Sequence, residues 1–418
     1  MRALTFEKLK KTARTWDYYS SELLDFRKKN LLAERKCELS KKFSQHYFQI
    51  DDREIKKESS SICRFLKEGQ ADLVVPMKEK DGVIRNLLSY ASKKMSADSI
   101  LVINDRSDDK VLAMVRSFEK VLVINKEDVL KMINWQKLLP LLNLPQKPKG
   151  KGVAVMAGYL FRYLFGRQKF NQSRWIFQTD ADIKNHKAFK ALEYLTWGAL
   201  YCPGSFHIKI AKPGRNNESH MAVRSALAVL GDLNKVIGSQ RGQGIAQRAS
   251  QLFENLAKYK WILGGTFGIT NEIAYNRPFA TGYLDETLIC AFTEDVAVKK
   301  KKGFSVQISN PNPCSDGENS FKKENTIVQM TANFVITLAL IGKPICDWTL
   351  EDIAWINKDL MSEPKGIALI PPKGNEGPVL AEVVANERIL PSIKMLEENG
   401  LINDEAVESL MKKMGFSF

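Results

Sequence analysis

Three short aliphatic runs, Ala71-Asp-Leu-Val-Val-Pro76, Ser99-Ile-Leu-Val-Ile-Asn104 and Lys120-Val-Leu-Val-Ile-Asn125, are separated by stretches of helical periodicity, from Val83 to about Lys94 and from Val111 to Phe118. No other feature constrains the fold as much. Parallel strands need a crossover of a dozen or more residues, and a helix is the usual way to supply it. The spacing therefore predicts βαβ units and an α/β fold with a doubly wound, Rossmann-like parallel sheet. Ligands in such sheets bind beyond the carboxyl ends of the strands. Three strand ends carry polar residues: Pro76-Met-Lys-Glu-Lys-Asp81, Asn104-Asp105, and Thr179-Asp-Ala-Asp182 after the run Arg174-Trp-Ile-Phe-Gln178.

The flanks read differently. Residues 1–69 are charged, with apolar positions such as Leu23, Leu24, Phe26 and Leu31 at helical spacing, and are expected to be a helical N-terminal extension. Residues 70–310 form the expected α/β domain, and 311–418 a mainly helical C-terminal region interrupted by the loop Ile370 to Pro378. Within the central domain a helix is expected from about Phe189 to Gly198 and a long helical segment from Met221 to Lys260. Short apolar runs and turns are expected from Trp261 to Asn310. No internal repeat of solenoid length occurs.

Composition removes several function classes. With 44% hydrophobic and 27% charged residues over 418, the chain can bury a core and is not a disordered one. Its 63 Lys and Arg against 48 Asp and Glu give a net charge of +15, which calls for an anionic partner. The lysines are dispersed rather than interleaved with aromatics, so nucleic acid is not the expected one. Only four histidines occur, His46, His186, His207 and His220, too few for a multi-histidine metal centre. Six cysteines without a CxxC pair argue against a zinc site or a disulfide framework and fit a reducing, cytoplasmic compartment. The N-terminus becomes charged too early for a secretory signal. The longest apolar stretch, Thr331 to Cys346, is broken by Asn333, Gly342, Lys343 and Pro344 and is too short to span a membrane. Contact with the cytoplasmic membrane face is left as peripheral.

Two carboxylates at i and i+2 just past a strand, as in Asp180-Ala-Asp182, can address one hard cation, Mg²⁺ or Mn²⁺, which in turn holds a diphosphate. The competing reading is an ordinary strand end and helix N-cap. Thirty residues earlier, Lys147-Pro-Lys-Gly-Lys-Gly152 precedes an apolar helix beginning at Val153. Glycines beside lysine let backbone N–H groups and an ammonium approach phosphate at a helix start. The spacing is not that of a Walker A loop, and a basic solvated linker is the alternative.

Taken in order, Val74-Val-Pro-Met-Lys78, Ile103-Asn-Asp-Arg-Ser-Asp-Asp109, Gly150-Lys-Gly152, Thr179-Asp-Ala-Asp182 and Leu263-Gly-Gly-Thr266 resemble a GT-A glycosyltransferase. Within that fold the chain resembles the family 2-like enzymes and their relatives, glucosyl-3-phosphoglycerate synthase and mannosylglycerate synthase, over about residues 71 to 308. The resemblance implies that Pro76, Met77 and Lys78 line the nucleotide base and ribose and that Asn104 and Asp105 contact the base. It implies that Lys151 approaches the diphosphate, that Asp180 and Asp182 are the DxD pair for ribose and metal, and that Gly264 and Gly265 lie beside the sugar and acceptor. Glu79-Lys80-Asp81 replaces the family's Asn-Glu-Glu, and Asn104 its commoner Asp, which leaves the base open.

The stereochemical course is open too. Thr281-Gly-Tyr-Leu-Asp-Glu286 matches the Thr-Gly-Tyr-x-x-Glu of retaining relatives and places Glu286 against the donor sugar. Thr293-Glu-Asp295, followed by Lys299 to Lys302 and the strand pattern from Gly303 to Ile308, is the fuller match and makes Asp295 the base of an inverting enzyme. Retaining relatives add a metal-binding histidine after this region. None follows His220 here, and Asn312 or Asp316 are the substitutes the sequence offers. His186 and His207 read as structural or surface residues.

The expectation is therefore a metal-assisted glycosyltransferase moving a hexose from a UDP- or GDP-linked sugar to a hydroxyl acceptor. Lys299 to Lys302 would draw a phosphorylated one or an anionic membrane surface, although a solvated lysine face reads as well. The alternatives are a retaining glucosyl-3-phosphoglycerate or mannosylglycerate synthase-type enzyme, a sugar-phosphate nucleotidyltransferase, and a basic binding or scaffold protein with a degenerate transferase fold. The length outside the core leaves room for a homodimer surface or an acceptor lid.

Overall fold

The computed structural model describes residues 45–78, 82–166, 174–211, 256, 259, 264–282, 284–300, 303–312, 343–360 and 387–415. The order begins β1 (Gln45–Gln49), α1 (Asp52–Lys57), α2 (Ser59–Lys67), β2 (Ala71–Met77), α3 (Ile84–Ala91), β3 (Ile100–Asn104), α4 (Asp109–Arg116) and β4 (Val121–Asn125). It continues with α5 (Lys126–Leu130), α6 (Trp135–Leu141), α7 (Lys151–Gly166), β5 (Trp175–Gln178), α8 (His186–Phe189), α9 (Ala191–Tyr201) and β6 (Ser205–Ala211). Then follow β7 (Phe267–Thr270), α10 (Asn271–Asn276), β8 (Phe279–Ala280), α11 (Asp285–Lys300), β9 (Phe304–Ser309), α12 (Leu350–Trp355), β10 (Ile389–Leu390), α13 (Ile393–Glu398) and α14 (Asp404–Lys413).

Eight strands make one sheet in the order β1-β9-β6-β7-β5-β2-β3-β4. Only β7 runs antiparallel to its neighbours; every other adjacent pair is parallel. The carboxyl ends of β2, β3, β4, β5, β6 and β9 therefore share one edge with the amino end of β7. That edge is where the doubly wound pattern predicted the chemistry. The central strands are covered on both faces, which is why β2 and β3 are near-continuous apolar runs. Leu73 and Val75 belong to the core beneath α2, α3 and α9. Val74, between them, belongs to the core on the other face, which also holds Val153, Tyr159 and Phe161 of α7.

Two elements differ from the sequence expectation. Residues 45–49, expected within a helical extension, form the edge strand β1 paired with β9, an instance of long-range pairing overriding local pattern. The segment expected to hold only short runs and turns contains the 16-residue α11. Residues 284 to 297 are buried almost without interruption, so no apolar–polar period marks the helix. The long helix expected over Met221 to Lys260, the loop from Ile370 to Pro378 and most of the N-terminal extension lie outside the described residues. Among the described residues no helix is long and apolar enough to cross a membrane.

Candidate active site

Asp180 lies two residues past β5, and Lys151 is the first residue of α7. Lys151 Nζ donates to Asp180 Oδ1 at 2.7 Å and to Glu286 Oε1 at 2.8 Å. Glu286 stands in the first turn of α11, where a negative charge suits the helix dipole, and its second oxygen accepts the N–H of Gly264. Gly265 follows with no side chain, and a Cβ there would overlap the Asp180 carboxylate. Thr179 and Thr266 join hydroxyl to hydroxyl at 3.1 Å, tying the end of β5 to the start of β7. Lys151, Asp180, Glu286, Gly264 and Gly265, all expected from sequence, thus meet at the carboxyl edge of the sheet.

The three charged side chains are 25%, 19% and 10% exposed, in the order Lys151, Asp180, Glu286. Burial by itself would lower the lysine's pKa. The two carboxylates outweigh it and hold the ammonium well above its ordinary value. The group therefore carries one firm positive charge between two carboxylates at the amino end of a 16-residue helix. The helix amino end and the ammonium suit phosphate oxygens, provided that a cation or a displaced carboxylate offsets the net negative charge of the three side chains.

The start of α11 is itself anchored. Arg277 Nη1 and Nη2 donate to Asp285 Oδ1 and Oδ2, both at 2.8 Å, and the N–H of Ala280 donates to Asp285 Oδ1 at 3.0 Å. Arg277 is wholly buried, with its guanidinium 4.1 Å from the ring centre of Phe279. The adjacent carboxylate of Asp285 keeps it charged against its burial.

A second group forms at the ends of β2, β3 and β4. Pro76 is half-buried, Met77 is buried and Lys78 is exposed. The N–H of Asp105 donates to Met77 O at 2.7 Å. Asn104 Nδ2 donates to Asn125 Oδ1 at 3.0 Å, and Asn104 Oδ1 accepts from Ser107 N at 2.9 Å. The buried Lys126 pairs with Asp105. Sequence reasoning missed Lys126, although it directly follows the third strand run and the strand-end rule would have found it.

Two further carboxylates were expected in the site, Asp182 and Asp295. Asp182 is exposed beyond the bend that follows Asp180. Asp295 is buried, and its Oδ2 accepts the N–H of Ile345 at 2.7 Å. Nine residues of helix separate it from Glu286, about 13 Å at 1.5 Å per residue. Asp295, the base expected from sequence, thus accepts from the first residue of the turn Ile345–Asp347. A residue 50 positions away supplies its partner, which no local signal could show.

Among the described residues no cluster of three or more His, Cys, Asp and Glu could hold a metal. Asp180 and Asp182 offer two carboxylates, so a hard cation would take its remaining oxygens from a bound diphosphate and water. Asn312, one proposed substitute ligand, donates through Nδ2 to Asp52 Oδ1 at 2.9 Å; Asp316 lies outside the described residues. His186 and His207 are fully buried. Burial first, then Lys209 and Arg277, keep His207 well below its usual pKa. Of the Lys299 to Lys302 run, Lys299 pairs with Asp347.

No family model and no curated protein matches the chain. Solved structures similar to it include glucosyl-3-phosphoglycerate synthase from Mycobacterium tuberculosis. The complex with Mn²⁺ and UDP-glucose matches with a TM-score of 0.47 and 15% identity, over 72% of this chain and 87% of that one. The complex with Mn²⁺, UDP and phosphoglyceric acid matches with 0.45 and 16%, over 66% and 82%. The complex with Mn²⁺, UDP-glucose and glycerol 3-phosphate matches with 0.43 and 16%, over 71% and 88%.

Proposed function

We propose that the chain is a nucleotide-sugar-dependent glycosyltransferase that moves a hexose to a hydroxyl acceptor. The observation that carries this reading is Lys151, a charged ammonium at the amino end of α7 held between Asp180 and Glu286. Departure of a nucleoside diphosphate concentrates negative charge on its β-phosphate. An ammonium and a helix amino end stabilise that charge as it develops. On donor binding Lys151 exchanges a carboxylate for a phosphate oxygen. Asp180 is then released to act with Asp182. These two would hold Mg²⁺ or Mn²⁺ against the diphosphate, and the cation would neutralise charge on the leaving group. The strand-end group of Met77, Asn104, Asp105 and Lys126 faces the same edge and would take the base and ribose.

Glu286 beside Lys151, with Asp295 set about 13 Å along the helix, favours the retaining course. In that course the leaving phosphate accepts the acceptor's proton, and Glu286 orients the donor sugar. The test is thermal stabilisation by a panel of UDP- and GDP-sugars with and without Mn²⁺. At a hundredfold excess over Kd a true ligand stabilises by about 2.7 kcal/mol, several degrees for a chain of this size. Asp182→Ala should remove the metal-dependent part and Lys151→Met most of the remainder. A panel that never moves the wild type, or a full metal-dependent shift in Asp182→Ala, overturns the proposal. The anomeric configuration of the product then settles the course.

A further inference from the structure

Within the described part of the C-terminal region, residues 387–390 return to the site. Ile389 and Leu390 pair antiparallel with Ala280 and Phe279. The buried Asn357 grips the same strand: its Oδ1 accepts from Ile389 N at 2.8 Å and its Nδ2 donates to Ile389 O at 2.9 Å. Asn357 lies in a π-helical turn, Ile356–Leu360, an irregularity frequent at functional positions. Upstream of the strand, the N–H of Thr281 donates to Arg388 O at 2.9 Å. The Thr281 hydroxyl accepts from Arg388 N at 2.9 Å and donates to Glu387 Oε2 at 3.0 Å. The carbonyl of Thr281 accepts from Gly152 N at 3.2 Å, one residue past Lys151. A single threonine therefore joins the Glu387 carboxylate to the first turn of α7. Gly282 admits that carboxylate, because a Cβ there would overlap Glu387 Oε1.

We propose that Glu387 is the acceptor-side carboxylate of the site, accepting a hydrogen bond from a hydroxyl of the acceptor and so setting its orientation. The proposal rests on the transferase reading. In that reading Lys151 and the amino end of α7 take the diphosphate, and the ends of β2, β3 and β4 take the nucleoside. Thr281, Gly282 and Glu387 belong to neither group. They stand at β8, outside the main sheet, beside the first turn of α7. Glu387 is 6% exposed, and a carboxylate offers about four acceptor positions, so a substrate hydroxyl can join the bonds it already makes. The anchoring by Asn357 and Thr281 keeps it rigid, as an orienting group must be.

The experiment uses the full chain, the donor sugar that stabilises it, and glycerol, glycerol 3-phosphate and 3-phosphoglycerate as acceptor probes. Glu387→Gln keeps the shape and can still accept from Thr281. It should raise acceptor KM about 10- to 100-fold, the worth of a hydrogen bond to a charged group, while donor KM and the nucleotide-dependent thermal shift stay as in the wild type. Glu387→Asp should lie between the two. Unchanged acceptor KM in Glu387→Gln overturns the proposal, as does a parallel loss of donor binding, which would make Glu387 a structural support for Thr281. Transfer to none of the three probes overturns the hydroxylated acceptor. Absence of any nucleotide effect on the wild type instead overturns the transferase reading beneath it.

Discussion

A methyl group on Gly265 would enter the space of the Asp180 carboxylate, so Gly265→Ala must push Asp180 off Lys151 or shift the loop. Overpacking of this kind costs about 1–3 kcal/mol. The expected outcome is a folded protein, slightly lowered in Tm, that a nucleotide sugar no longer stabilises; calorimetry with and without ligand checks it. Lys151 makes a separate prediction from pH. Its folded pKa is raised, so its stabilisation is fully present below the unfolded value of about 10.4 and is lost only as pH rises through the folded one. Lys151→Met should therefore cost stability evenly from pH 5 to 9. A cost of about 1–3 kcal/mol follows once a pair that is a quarter exposed is discounted from the buried case, and denaturant midpoints across that range read it directly. The residues of this cluster were legible because each is a charged group or a glycine at a strand or helix end. The bond from Ile345 to Asp295 was not legible, because a carboxylate in sequence carries no sign of the amide it accepts from.

The helix that carries Glu286 depends on one ion pair. Arg277 and Asp285 form a bidentate pair with the guanidinium fully buried, and removing one partner of such a pair leaves an uncompensated charge. Arg277→Met should cost about 3–5 kcal/mol, whereas Arg277→Met with Asp285→Asn should recover part of that loss. A double-mutant cycle in chemical denaturant measures the coupling, and additive losses would show that the pair does not anchor α11. A smaller device holds α12 (Leu350–Trp355), where Thr349 and Asp352 form a reciprocal capping box. Lys343 and the Thr349 bonds hold Asp352 below its usual pKa against its partial burial. Its contribution is present above about pH 4 and is lost as pH falls through the lowered value. Thr349→Ala should cost about 1 kcal/mol at pH 7. Elements with one wet face and one dry face, such as α3 and α4, were readable from period alone. α11 was not, since both its faces are dry, and neither was β1, whose only reason to be extended is its partner β9.

The described residues build one large doubly wound sheet, and the described part of the C-terminal region packs into its core. The repeating strand–helix pattern made the sheet legible, because crossover length and apolar runs are local properties. The return of residues 387–415 was not legible, because it is fixed by contacts far away in the chain. Asn403 N donates to Met132 O at 2.7 Å and Asn134 N to Leu401 O at 2.8 Å. Ile389, Leu390, Ile393, Leu396 and Leu401 are all at most 1% exposed and join the core that includes α7. Fully burying a side chain of this size contributes about 1.5–3 kcal/mol, so these five together supply on the order of 10 kcal/mol as an upper figure. Before the entropy of ordering the segment is subtracted, that is comparable in size to the net stability of an ordinary domain, about 5–15 kcal/mol. A chain ending at residue 386 should therefore fail to fold cooperatively, binding a hydrophobic dye and losing its sharp thermal transition. Retention of a sharp transition would show that the α/β sheet is self-sufficient and that the C-terminal segment is a docked addition. Leu396→Ala in the full chain gives the graded version. It should cost about 2–5 kcal/mol and leave the response to nucleotide sugar intact, since Leu396 stands in α13, outside the residues proposed to hold the ligand.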